Sequence, residues 1–280
     1  MRTIRALWGS THPGPTLVVT ALSLALGVAT GLDAGRLALL VGSVLLNQLS
    51  VGLSNDAFDA GRDRAVGRTD KPIAAGVVSA RLALGVAVGA VVASLALSVV
   101  LGFGMLAGQA LMIAGAWAYN AGLKSTAFSL VPFLVSFGIF PSLATLSAPE
   151  ATLAPLWAGI AGAALGAAVH LTNVLPDLDD DRATGVRGFP HRIGPRASAV
   201  LAVAGLFVGA AAVLLGPVGG DLGRVQWPGW VFATAVAVVA VATGIRALVR
   251  PPDRTVFRFV MLAALLLAAQ LVATGSALVG

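Results

Sequence analysis

The sequence predicts an all-α integral membrane protein, a bundle of nine transmembrane helices with a parallel internal repeat. Three observations carry this. The 280 residues are 58% hydrophobic and only 11% charged, with a mean hydropathy of +0.92, outside the range of soluble domains. Windows of about 20 apolar residues recur nine times. Sixteen of the eighteen Lys and Arg fall at the N-terminus or in every second connection, leaving only Arg36 and Arg224 for the others.

The expected spans are 14–32, 36–57, 80–102, 105–121, 126–147, 154–176, 196–217, 228–249 and 256–278. The first follows Arg2 and Arg5 but lacks a small-residue cleavage site, so it is read as a retained span. The placement of basic residues puts the N-terminus and the connections after spans two, four, six and eight in the cytoplasm. A net charge of +6 is therefore a topology signal rather than a sign of nucleic acid. No cysteine is present, which excludes disulfides, thiolate metal sites and a cysteine nucleophile.

Within this frame one pattern occurs twice, 118 residues apart: Asn55-x3-Asp59-x3-Asp63 and Asn173-x3-Asp177-x3-Asp181. The segments after each final aspartate, DRAVGRTDKPIAAG and DRATGVRGFPHRIG, agree at six of fourteen places. Four crossings lie between the motifs, so both emerge on one side. Spans two to five are then echoed by spans six to nine in a single domain over 1–280.

Fourfold spacing stacks the side chains on one helix face over roughly 12 Å. Seven of the twelve acidic residues lie in the two motifs, and carboxylates at membrane depth are costly unless they serve a site. The bland alternative is a pair of solvated helix ends. Two facing stripes would require cations, as a divalent metal holding a diphosphate does. Asn55 and Asn173 would be neutral oxygen ligands or donors to phosphate. Asp56, turned about 100° from Asn55, faces a neighbouring helix or a bridging water, and the same ambiguity attaches to Asp179 and Asp180.

Basic groups follow each stripe: Arg62, Arg64, Arg68 and Lys71, then Arg182, Arg187 and Arg192. Guanidinium forks suit phosphate oxygens, although positive-inside topology explains many of them without a ligand. Lys124 is one of two lysines and closes Tyr119-Asn120-Ala121-Gly122-Leu123-Lys124, which holds the only tyrosine. Tyr119 is either an interface anchor or a site group. Pro176 marks a kink or a plain helix end. His170 either packs in the core or lines the cavity, and His12 and His191 show no metal-ligand spacing.

At these residues the chain resembles the UbiA superfamily of intramembrane prenyltransferases. Asn55-Asp56-x2-Asp59-x3-Asp63 reads as NDxxDxxxD, and Arg68-x2-Lys71-Pro72-x3-Gly76 is similar to the loop that follows it. Asp177-x3-Asp181-x3-Gly185-x-Arg187 is similar to the second motif, and Tyr119 to Lys124 to the Tyr–Lys stretch between them. Lys71 in place of arginine and Phe189-Pro190-His191 in place of Ser-Thr depart from the pattern.

The resemblance implies Mg2+-dependent transfer of a prenyl group from a polyprenyl diphosphate to an acceptor, aromatic in the leading reading, as in quinone or prenyl-lipid biosynthesis. It implies metal at Asn55, Asp59, Asp63, Asn173, Asp177 and Asp181. Diphosphate would meet Arg68, Lys71, Lys124, Arg187 and Tyr119. Catalysis would rest on Asp59, Asp63, Asp177, Asp181 and Lys124. The same scaffold also allows a non-aromatic acceptor or cyclisation of the diphosphate. A secondary transporter is the remaining class, though its sites normally lie at the midplane rather than beside cytoplasmic loops.

Overall fold

The computed structural model describes residues 2–250, 253–274 and 278. The end of the ninth expected span, at 275–277, lies outside the described residues. Eleven α-helices follow in order: α1 (Arg2–Gly9), α2 (Pro13–Ala29), α3 (Ala34–Ala65), α4 (Ala80–Leu101), α5 (Phe103–Ala121), α6 (Val131–Leu146), α7 (Leu156–Val174), α8 (Leu178–Ala183), α9 (Phe189–Leu215), α10 (Trp227–Val249) and α11 (Arg254–Thr274). No strand occurs among the described residues. The protein is all-helical and multi-pass.

Length and apolarity alone qualify six stretches to cross a membrane, or seven if the bent pair α1–α2 is one span. The nine expected segments each overlap a helix, but α5 and α6 fall short of that test. Gln109, Tyr119 and Asn120 dilute the apolar run of α5, and α6 has only 16 residues. The N-terminus also differs from expectation. A short helix, α1, precedes the first span and meets α2 at 69°, with His12 at the break in a left-handed conformation (φ 54°).

Helix α3 is capped by Asp33, whose carboxylate accepts from the backbone N–H groups of Gly35 and Arg36 at 2.9 and 3.0 Å. Its 32 residues make a rod of about 48 Å, longer than the ~30 Å of a hydrocarbon core. The first motif occupies its last turns. The α-helix of α7 stops at Val174, two residues before Pro176, without a sharp bend. A 3-10 turn at Leu175–Asp177 carries the chain from α7 into α8, and the two form one 28-residue apolar stretch.

Neighbours in sequence pack side by side, and α11 closes the circuit against α2. Val19, Leu22, Leu40, Met105, Leu143, Leu171, Leu206, Val236 and Leu267 form the buried core. Val100, Phe103, Trp227, Val238 and Val249 face outward, where lipid tails accept them. Buried polar groups tie α3, α4 and α5 together: Ser43 Oγ lies 2.8 Å from Ser98 Oγ, and Gln109 Nε2 donates to Ser94 Oγ at 2.9 Å. Such bonds hold helices where lipid gives no hydrophobic drive.

Helices α6 and α7 approach closely. A Cβ on Gly166 would stand 2.6 Å from the Phe133 carbonyl oxygen and 2.7 Å from Phe137 Cβ, so only glycine fits there.

Candidate active site

The circuit of helices encloses a cavity of about 700 Å³, toward the upper end of ligand-site volumes. Both acidic motifs open onto it. Asn55, Asp56, Asp59, Asp63, Asn173, Asp177 and Asp181 all line it, together with Arg68, Lys71, Tyr119 and Lys124. Arg187 does not. Its side chain is exposed and outside the cavity wall, although Val186 and Gly188 on either side of it line the cavity.

The first stripe is buried: Asp56, Asp59 and Asp63 are 2%, 6% and 4% exposed. Each carboxylate is therefore matched by a cation. Lys71 Nζ sits 3.2 Å from Asp56 Oδ1 and 2.9 Å from Asp63 Oδ2. Lys124 Nζ pairs with Asp59 Oδ1. The second stripe is more open, and two arginines join it to the first. Arg62 reaches Asp59 Oδ2 at 2.9 Å and Asp181 Oδ1 at 3.4 Å. Arg68 grips Asp70 through two hydrogen bonds of 2.9 and 3.0 Å and lies 3.7 Å from Asp177.

Several partners gave no signal in the sequence. His12, at the α1–α2 bend, contacts Asp56 Oδ1 at 3.1 Å, which settles where Asp56 points. His191 lies 3.3 Å from Asp181. Asn120 Oδ1 accepts from Asn55 Nδ2 at 3.1 Å, while its own amide donates to the Val51 carbonyl and Ser54 Oγ. Among the described residues Asp179 pairs only with Arg182, at the surface, whereas Asp180 reaches the wall.

The loop lysines differ in their electrostatics. Burial pulls the Lys71 pKa down, but Asp56 and Asp63 outweigh it and the net shift is upward. For Lys124 burial prevails over Asp59, and its pKa is lowered. The bonds from Arg68 lower the Asp70 pKa despite some desolvation.

Above the charged end stands an aromatic wall. Phe133, Phe137 and Phe140 line the cavity at the i, i+4, i+7 spacing of one α6 face, a regularity visible in the sequence. Tyr119 meets Phe133 edge-on at 5.1 Å and His170 at 5.6 Å. It is thus part of this wall rather than an interface anchor. His170 is buried, 3.0 Å from Ser129 Oγ and stacked on Phe133 at 4.6 Å, and it also lines the cavity.

Among the described residues no three acids or histidines are drawn into a ready-made metal cage. The two motifs themselves offer oxygen donors, carboxylates and amides, to one cavity. That suits Mg2+, which takes one or two carboxylates and completes its shell with water and substrate phosphate. Seven aspartates face six Arg and Lys side chains along the wall, so the lining is close to neutral. A diphosphate would have to arrive with its own cations.

This architecture defines a class: a multi-pass membrane protein with a paired Asp-rich site at the polar end of an apolar and aromatic cavity. The family model described as the UbiA prenyltransferase family matches residues 16–271, and the chain belongs to that family as a transferase of prenyl groups. It is 32% identical over 244 residues to a protein of Methanoregula boonei named digeranylgeranylglyceryl phosphate synthase, covering 84% of this chain and 82% of that one. Its fold matches the apo structure of a UbiA homologue from Aeropyrum pernix with a TM-score of 0.77, at 17% identity and over 93% and 98% of the two chains. A UbiA homologue from Archaeoglobus fulgidus bound to GPP and Mg2+ matches with a TM-score of 0.72, at 14% identity and over 97% and 99%.

Proposed function

We propose that this protein alkylates a hydroxyl of a prenylated glycerol phosphate with a prenyl group from a polyprenyl diphosphate, with Mg2+. The donor half of the reading rests on one observation: both acidic motifs meet across a single cavity, joined by Arg62 and Arg68. The acceptor half rests on the name of the Methanoregula boonei relative. It replaces the aromatic acceptor and the quinone pathway expected from the family resemblance.

Asn55, Asp59, Asp63, Asn173, Asp177 and Asp181 would hold the metal, which neutralises the diphosphate and so makes it a better leaving group. Lys71, Lys124 and Arg68 exchange carboxylate for diphosphate oxygens and stabilise the charge that grows as the allylic C–O bond breaks. Phe133, Phe137 and Tyr119 turn ring faces or edges to a water-poor space in which an electron-poor allylic carbon is favoured. The acceptor hydroxyl oxygen bonds to that carbon, diphosphate departs, and the hydroxyl proton passes to a cavity carboxylate.

Nine crossings, with the N-terminus and both motif loops in the cytoplasm, complete the proposal. So does a repeat relating α3–α6 to α7–α11, supported by the corresponding places of the two stripes on α3 and on α7–α8.

The purified protein is supplied with Mg2+, geranylgeranyl diphosphate and either geranylgeranylglyceryl phosphate or 4-hydroxybenzoate, and products are identified by mass spectrometry. An ether product and released pyrophosphate are expected from the first acceptor alone, and Asp59→Ala and Asp177→Ala abolish both. Transfer to the aromatic acid would overturn the acceptor assignment, and normal turnover in both variants would overturn the site.

A further inference from the structure

Of the six Arg and Lys side chains on the cavity wall, Arg62, Arg68, Lys71 and Lys124 are already matched to carboxylates. Arg254 and Arg258 are not. They stand one turn apart on α11, line the same cavity, and form no ion pair or side-chain hydrogen bond with any described residue. The one acid beside them, Asp253, is engaged by Arg246 at 2.5 Å and by the Thr255 N–H at 2.9 Å. Two guanidinium groups on one helix face present forked donors that match a phosphate.

The same face of α11 turns apolar beyond them. Met261, Ala264, Ala268 and Leu271 continue along the cavity wall at helical spacing. One side of one helix therefore offers a cationic head and an apolar track, the complement of an anionic amphiphile lying along it. The diphosphate donor already has its own charged partners, so this second cationic position serves another anion.

We propose that Arg254 and Arg258 form a subsite for the phosphate monoester of the acceptor lipid, with the acceptor's chain laid along α11. This rests on the reading that the acceptor bears a phosphate. Its own content is the separation of two anion subsites, diphosphate on the α3 and α7–α8 side and monoester on α11.

The test uses Arg254→Gln/Arg258→Gln in the full-length protein in nanodiscs of a zwitterionic lipid. Binding of an unreactive dialkylglycerol phosphate is measured beside the matching dialkylglycerol, and the KM for geranylgeranyl diphosphate is measured in parallel. Wild type is expected to bind the monoester at least about tenfold tighter than the alcohol. The double variant loses that preference with the donor KM unchanged, and Arg258→Lys retains part of it.

A preference that survives in the variant overturns the subsite, as does a wild type that binds both lipids alike. Equal competition by phosphatidylglycerol would make the pair a general headgroup anchor and would also overturn it. Failure of wild type to alkylate a phosphorylated acceptor while the monoester preference holds would instead count against the proposed reaction. Where the donor KM rises with the loss of preference, the two anion subsites are one and the proposal falls.

Discussion

At the scale of single residues, the two loop lysines hold opposite electrostatic positions and should behave oppositely. Lys124 loses its proton earlier than an ordinary lysine, because burial outweighs its pairing with Asp59. Donor capture, read as kcat/KM, should therefore fall on the alkaline side below the usual lysine range. Lys124→Arg, which keeps its charge, should move that limb upward, and an unmoved limb would remove Lys124 from the diphosphate's partners. The folded-state pKa of Lys71 is raised. Its stabilising contribution is thus fully present below the unfolded lysine pKa and is lost only as pH rises through the folded value. Lys71→Met strands Asp63 as a buried unpaired carboxylate and leaves Asp56 with His12, with an expected cost of about 3–5 kcal/mol at neutral pH in metal-free detergent unfolding. The fourfold spacing makes Asp59, Asp63, Asp177 and Asp181 legible in the sequence, since periodicity alone puts each pair on one face of its helix. The partners of Asp56 were not legible, because His12 lies 44 residues away in sequence and only the α1–α2 bend brings it near.

Among elements, the α6–α7 contact decides where the aromatic wall stands. Gly166 lets the Phe133 carbonyl and Phe137 Cβ come within what would be contact of a methyl group, so any side chain there must push α6 and its phenylalanines away. Gly166→Val should destabilise the protein by about 1–3 kcal/mol and lower kcat. Gly89→Ala on α4, where nothing stands within 4 Å of an added Cβ, should leave thermal unfolding and turnover unchanged. Equal effects of the two would show that close approach is not what positions the wall. Each of the nine segments that hydropathy marked overlaps a helix, because burial in lipid is written into composition, but six or seven of them qualify as crossings. Hydropathy missed α1, which is too short and mixed to register, whereas Pro176 falls at the helix end that the sequence allowed for. Phe133, Phe137 and Phe140 were open to the same periodicity argument as the aspartates, but apolar spacing in an apolar helix carries almost no contrast.

For the whole molecule, the proposed sidedness can be checked cleanly because the chain has no cysteine. Single cysteines at Arg64 and Arg187 should react with an impermeant thiol reagent only from the cytoplasmic face, and at Gly220 only from the opposite one. Labelling of all three from one side would reject the topology. The sequence carried the two halves as a repeat of motifs; that Arg62 and Arg68 clasp one half to the other is a property of the closed circuit and has no local signature. The bend between α1 and α2 has a practical meaning of its own. At the N-terminal end, His12 ties the α1–α2 bend to Asp56, and Asp56 pairs with Lys71, two links that run from the bend to the cavity. An expression tag or a truncation at that end is thus an intervention in the active site. A kinetic comparison of proteins tagged at opposite termini should find the difference in donor KM rather than in yield.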